Sequence, residues 1–198
     1  MMETGKKGSE FTGTVGAVSA VSAVQGNQRS AISARSLCQA AVMAAFICIM
    51  TLVPKIPIPL GYAHLGDAAI FLMVLYVGRR EGAIAASIGS AFADFLGGFS
   101  IWIVPTLLIK YIMAEILWRF ARPDMEKWGL FSGRTFSGLL LSSLWMAFSY
   151  TLAGALLYGG IEAGLTSTPG LLLEGGLNMA VAYGAGRALE RTGFFPLK

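Results

Sequence analysis

The chain has 198 residues, of which 55% are hydrophobic and 13% are charged, and its mean hydropathy is +0.65. Soluble domains carry about 25% charged residues, and a surface that faces water cannot be assembled from so few charges. The composition therefore excludes an ordinary soluble domain and predicts an all-α membrane protein whose exterior faces lipid.

The net charge of +4 does not indicate nucleic-acid binding, because the basic residues lie in short clusters between apolar runs and form no continuous stripe. Cys38 and Cys48 would lie about 15 Å apart on one helix, which is too far for a disulfide. With one histidine in the chain, no zinc site is expected. The sequence predicts neither a metal nor a cofactor.

Residues 1–32 differ in composition from the rest of the chain, since they are mostly small and polar. Glu10, Thr12 and Thr14 interrupt the apolar stretch that a signal peptide would need. We expect a flexible cytoplasmic tail here, followed by a six-helix transmembrane domain over 33–198.

Apolar runs separated by polar breaks predict six membrane spans in that domain. The second span is short, because about fourteen helical residues reach only ~21 Å, less than the ~30 Å hydrocarbon thickness. Small residues on the first span favour close helix packing or an external partner, and those on the third favour packing inside the bundle. The expected spans are 34–53, 66–79, 81–98, 102–121, 135–158 and 169–190.

The distribution of lysine and arginine predicts the orientation. Of the 15 basic residues, all except Lys55 and Lys110 lie before or at the start of span one, at or after the end of span six, or near the connections between spans two and three and between spans four and five. By the positive-inside rule, both termini are then cytoplasmic, which requires an even number of spans. The external loops are expected at 54–65, 98–101 and 159–168. The first is rich in proline, and we expect an ordered, non-helical lid over the outer face.

Polar and ionisable side chains inside the spans are costly in lipid and normally face a cavity or a partner. At ~1.5 Å per residue, most of those in this chain fall in the outer half of the membrane. Two pairs share a helix face at a spacing of four, Thr106 with Lys110 and Glu174 with Asn178. The pattern predicts a pocket open to the outside and closed below. Its candidate ligand-binding residues are Tyr62, Asp67, Asp94, Trp102, Thr106, Lys110, Trp145, Tyr150, Glu174 and Asn178.

Some of these residues also have a structural interpretation. Asp94 is expected to neutralise Lys110, which can extend outward toward it. Asp67 is as well suited to capping the second span as to contacting a ligand. No partner for Glu174 or Asn178 is near in sequence, which favours ligand contact there.

Three short motifs lie in the outer half of the predicted bundle: Gly66-Asp67 directly after the first loop, Asp94 followed by Gly97-Gly98, and Thr106-x-x-x-Lys110. In this order, and over about 34–190, they resemble the substrate-binding S components of energy-coupling factor (ECF) vitamin transporters, specifically the riboflavin-type S-component family. Each motif alone would be weak, whereas the combination is fairly specific.

The resemblance implies a six-helix bundle in a prokaryotic cell membrane that captures a vitamin from outside with high affinity. Such proteins dock on a transmembrane T subunit that carries two cytoplasmic ATPases. An Ala-x-x-x-Ala face on the first helix contacts the T subunit in that family, which here corresponds to Ala40, Ala41, Ala44 and Ala45. Family members often have Asn or Gln near the position of Glu174. The added carboxylate would suit hydroxymethylpyrimidine or another thiamine-related precursor, so the ligand is left open between such a compound and riboflavin.

Two other functions would place different demands on the sequence. An autonomous carrier or channel would need polar groups through the full thickness of the membrane or visible repeats of broken helices. An intramembrane enzyme would need a nucleophile and a base at matched depth. The chain has one histidine, His64 at a loop edge, and no Gly-x-Ser-x-Gly sequence, so no enzymatic activity is expected.

Overall fold

The computed structural model describes residues 33–58 and 61–192, and their side chains outside 56–63 and 122–128. The predicted tail, 1–32, lies outside the described residues, so its lack of a fold stays a prediction. The chain divides into two compact units, 1–37 and 38–198. In the first unit, the described part is the start of a helix whose first turn is capped by Ser33. The Ser33 Oγ accepts the backbone N–H of Ser36 at 3.1 Å.

In the described part of the chain, six helices follow the order that the apolar runs predict. They are α1 (Ala34–Leu52), α2 (Gly66–Tyr76), α3 (Arg79–Leu96), α4 (Ile103–Trp128), α5 (Gly133–Leu157) and α6 (Ile161–Thr192), and a single 3₁₀ turn (Ser100–Trp102) precedes α4. Among the described residues, Ala34–Leu52, Ser100–Ala121 and Gly133–Leu157 are the helical segments long and apolar enough to cross a membrane unaided. The helical membrane fold is confirmed, while the number of crossings and their orientation stay predictions.

The short helix α2 is the centre of the second unit. It has 11 residues and packs against α3, α4 and α6. Ile70 and Val74 are fully buried, and Phe71 and Leu75 are 1% exposed. Because α2 is apolar on all sides after its first turn, it can be stable only when other helices surround it.

Apolar side chains dominate the outward faces of the longer helices. Val42, Val104, Phe148 and Leu156 are exposed by 71%, 66%, 65% and 76%, respectively. In water such a surface would aggregate, whereas in lipid it is the expected exterior. Close helix contacts are made at small residues instead: a Cβ added to Gly89 would lie 2.5 Å from the Ala44 carbonyl oxygen of α1.

The described residues of the loop predicted at 54–65 are non-helical, as expected, and form an antiparallel hairpin. Strand β1 (Lys55–Ile58) pairs with β2 (Gly61–His64), with Lys55 opposite His64. The hairpin is joined to α1, because the Leu65 N–H donates to the Met50 carbonyl at 3.2 Å. Its end nearest α2 is therefore fixed in position.

The predicted loop at 159–168 is wrong, because α6 begins at Ile161 and continues through Pro169. The polar run that indicated a loop is helical, and its hydroxyls bond back to carbonyls of the preceding turn. Ser167 Oγ donates to the Gly164 carbonyl at 2.8 Å, and Thr166 Oγ1 donates to the Glu162 carbonyl at 2.7 Å. Self-satisfied hydroxyls make this polar sequence compatible with a helix.

Candidate functional site

A cavity of about 220 Å³ lies where β2, the end of α3, the start of α4, the second half of α5 and the first half of α6 meet. It brings together five of the predicted ligand-binding residues, which come from four helices and the 3₁₀ turn before α4. These are Asp94, Trp102, Lys110, Tyr150 and Glu174, and the remaining lining residues are His64, Phe99, Met146, Ser167 and Leu171. The lining mixes aromatic rings with charged groups, as small-molecule sites do.

Lys110 pairs with Asp67 and not with Asp94, so the predicted pairing is wrong. The ammonium and the Asp67 carboxylate are in direct hydrogen-bonded contact, and the residues are 3% and 1% exposed. Asp67 lies in the first turn of α2. Because α2 is the central helix and packs against α4, this carboxylate lies beside α4. The Lys110 Nζ also lies 5.2 Å from the centre of the Tyr150 ring, within cation–π range.

Asp94 takes part in a separate hydrogen-bonded chain. Thr106, which is 1% exposed, hydrogen-bonds to Asp94 and accepts the Tyr150 hydroxyl at 3.0 Å. The Asp94 Oδ2 is buried, and no hydrogen-bond partner for it is found in the described part of the chain. Asp94 therefore presents to the cavity a carboxylate that is only partly satisfied.

Glu174 has a partner that the sequence does not reveal, the His64 imidazole at the end of β2. The His64 Nδ1 and the Glu174 Oε1 are 2.9 Å apart, yet neither atom has an aligned hydrogen bond among the described residues. The contact is an ion pair when His64 is protonated. Burial lowers the pKa of His64, but the contact with Glu174 and the negative charges of Glu174 and Asp67 outweigh it, so its pKa lies above the ordinary value.

Asn178 is buried beneath the cavity and does not line it. Its Oδ1 accepts the Ala68 N–H of α2 at 2.7 Å, and its Nδ2 donates to the carbonyls of His64 and Glu174 at 2.8 and 2.9 Å. One amide therefore joins the start of α2, the end of the hairpin and α6. The described contacts give Asn178 a structural role, and its predicted contact with a ligand stays a prediction.

Aromatic side chains form one wall of the cavity. The Trp102 ring packs 5.6 Å from Tyr150 and 6.0 Å from Tyr158, centre to centre, and its Nε1 donates to the Tyr158 hydroxyl at 3.1 Å. Trp145 is half-buried outside this wall, and its Nε1 donates to the Ile109 carbonyl at 3.1 Å. Trp102 is therefore placed to contact a ligand, and Trp145 to connect α5 with α4.

The Tyr62 side chain lies outside the described residues, so its predicted role stays a prediction. Sequence reasoning missed five lining residues: His64, Phe99, Met146, Ser167 and Leu171. Two of them were detectable by spacing, since Leu171 and Ser167 precede Glu174 by three and seven residues and so share its helix face. They were assigned instead to a loop or to the end of a span.

The four alanines of α1 divide between two faces. Ala40 is 5% exposed and belongs to the core, and Ala44 contacts Gly89 of α3. Ala41 and Ala45 are exposed. Only Ala41 and Ala45 are therefore available to contact another protein.

Comparisons with known proteins agree with this architecture. The family model for the S component of ECF-type riboflavin transporters matches residues 31–189. An uncharacterized protein in the gap 3′ region of Pyrococcus woesei is 29% identical over 153 residues, which span 73% of this chain and 99% of that protein.

A structure described as the S component of a bacterial ECF transporter superposes with a TM-score of 0.60 at 17% identity, covering 80% of this chain and 96% of that one. At that identity the superposition shows a common fold. Together with the match over most of the chain, it identifies the protein as a member of the ECF-type riboflavin transporter S-component family.

Proposed function

We propose that the chain is the substrate-capturing subunit of an ECF-type importer and binds a vitamin or vitamin precursor from outside the cell. The observation that carries the proposal is the cavity itself, which combines an aromatic wall with a partly satisfied carboxylate. Such a combination is typical of a site for a small polar heterocycle. The family assignment supports a role in transport over one in catalysis.

The size of the cavity favours a small ligand. Its volume of about 220 Å³ lies below the range of roughly 300–1,000 Å³ that is usual for drug-sized molecules. A single-ring compound such as hydroxymethylpyrimidine fits this space better than riboflavin, which carries three fused rings and a ribityl chain. Riboflavin is the second candidate, because the matching family model is described by that vitamin.

Release into the cell would depend on other subunits in this proposal. We infer a transmembrane T subunit with two ATPases, which would dock on the face of α1 that presents Ala41 and Ala45. Small residues allow the close helix approach that such an interface needs. Six crossings with cytoplasmic termini would place the cavity at the outer side, because the basic clusters lie toward the opposite end of the helices.

The test is to purify the protein from its membrane in mild detergent and identify the bound small molecule by mass spectrometry. We expect a vitamin or a single-ring precursor, which should rebind to ligand-free protein with a submicromolar Kd. Binding no stronger than micromolar across a broad vitamin panel, with no molecule extracted, would contradict the proposal. Uptake by this chain alone in liposomes would instead favour an autonomous carrier.

A further inference from the structure

The charged groups around the cavity form two pairs, and one carboxylate belongs to neither pair. Lys110 is matched by Asp67, and His64 by Glu174. No ion pair in the described part of the chain includes Asp94. With Asp94 and both pairs ionised, the site therefore carries one net negative charge, and Asp94 is the carboxylate that lies outside an ion pair.

The surroundings of Asp94 stabilise that charge only in part, through the attraction of Lys110 and His64 beyond ion-pair distance. Thr106 supplies one hydrogen bond, but the buried Oδ2 has no partner among the described residues. Asp94 also lies in the last turn of α3, where its own carbonyl accepts the Phe99 N–H at 2.8 Å. The carboxyl end of a helix carries a partial negative charge, which disfavours an anion there. A buried carboxylate in this position calls for a positive partner.

The cavity wall beside Asp94 also favours a planar cation. The rings of Trp102 and Tyr150 line the same space, and aromatic faces attract a cation through their quadrupole. Lys110 is not that cation for Asp94, since its ammonium is in contact with the Asp67 carboxylate. The position opposite Asp94 is therefore available to a ligand.

We propose that the ligand is a planar heterocycle with an exocyclic amino group beside a ring nitrogen, bound as a cation against Asp94. This inference rests on the proposed function and specifies its substrate class. One ring nitrogen takes up a proton from solvent, which in a 4-aminopyrimidine is the nitrogen para to the amino group, and an N–H group of the resulting cation faces the carboxylate in a charge-assisted hydrogen bond. No covalent bond forms or breaks.

This assignment makes Asp94 the specificity-determining residue, in preference to Glu174. Glu174 is already held by His64 at 2.9 Å, so its charge is compensated before a ligand arrives. Asp94 lacks such compensation. A site whose buried polar group is satisfied only by the correct ligand discriminates strongly against analogues that lack the matching donor.

The experiment compares two probes of nearly equal shape by isothermal titration calorimetry on the purified full chain. The probes are 4-amino-5-hydroxymethyl-2-methylpyrimidine and its 4-oxo analogue, which places a carbonyl where the amino group stands. We expect the amino compound to bind at least tenfold more tightly, as an order of magnitude. In Asp94→Asn we expect its affinity to fall roughly 30-fold or more, while that of the oxo compound changes by less than about threefold.

Glu162→Gln is the matched control, because Glu162 is an exposed carboxylate of α6 that does not line the cavity. It should leave both affinities unchanged. Asp94→Asn keeps an oxygen for Thr106, and its thermal midpoint in detergent should confirm that it folds.

Equal wild-type affinities for the two probes, or equal weakening of both in Asp94→Asn, would overturn the inference. A tightly bound neutral vitamin recovered from the membrane would overturn it too, but would leave the capture function standing. If no vitamin or precursor binds at all, the proposed function fails and the inference fails with it.

Discussion

At the scale of single residues, the polar groups of this protein could be located from sequence but not paired. The positions of Asp67, Asp94, Lys110 and Glu174 in otherwise apolar helices indicated a polar pocket, and the structure brings three of them to one cavity. Which carboxylate meets which cation depends on how the helices are rotated and packed. Spacing within one helix cannot report this, so Lys110 was assigned to Asp94 in place of Asp67.

The buried pair of Lys110 and Asp67 leads to a stability prediction. Lys110→Met should lower the free energy of unfolding by about 3–5 kcal/mol, because it leaves the Asp67 carboxylate buried without its partner. Asp67→Asn should cost a similar amount. The double variant should lose less unfolding free energy than the sum of the two single losses. A double-mutant cycle in detergent will measure this difference. Additive losses would show that the two side chains are not coupled.

The His64 pair leads to a prediction about pH. The pKa of His64 is raised in the folded protein, so the pair contributes stability that is fully present below about pH 6.5, the ordinary histidine value, and is lost as the pH rises through the folded-state pKa. The thermal midpoint of the wild type should therefore fall over the pH interval that begins near about 6.5. His64→Gln should show a flatter profile over the same interval. Parallel profiles would argue against a protonated His64.

At the scale of elements, helix order was predictable and helix ends were less so. The apolar runs predict the six helices of the described residues, since lipid exposure demands long apolar segments. The sequence does not predict the start of α6, because Thr166 and Ser167 are typical of loops. In the structure, their hydroxyls hydrogen-bond to carbonyls of the same helix. The hairpin was predicted only as a non-helical lid, because proline excludes helix without specifying strand pairing.

The approach of α1 to α3 can be tested at one glycine. Gly89→Ala should destabilise the protein by about 1–3 kcal/mol, since the added Cβ would meet the Ala44 backbone, which cannot rotate away. Gly176→Ala is the control, because nothing lies within 4 Å of a Cβ added there. It should be neutral or stabilising, as expected for alanine in a helix. Equal effects of the two changes on chemical unfolding would contradict the close contact.

At the scale of the whole molecule, the family and the membrane fold followed from composition and three motifs, whereas the assembly with other subunits stays a proposal. The outward face of α1 supplies its test. Ala41→Trp or Ala45→Trp should abolish co-purification with a T subunit and leave ligand affinity unchanged, because both residues are exposed and lie outside the cavity lining.

Leu156→Trp, at a residue 76% exposed on α5, is the matched control and should retain the complex. A complex that survives both alanine changes would place the interface elsewhere.

The burial of α2 has a consequence for how the protein is made. Its 11 residues reach about 16 Å, so the translocon cannot place it across the bilayer as an independent segment. The Asn178 amide that satisfies the Ala68 N–H follows it by 110 positions. The ribosome must therefore synthesise most of the last helix before this contact can form. The central helix α2 is therefore synthesised early, but its contacts are complete only after α6 has been made. A chain arrested before α6 should remain a target for membrane quality control.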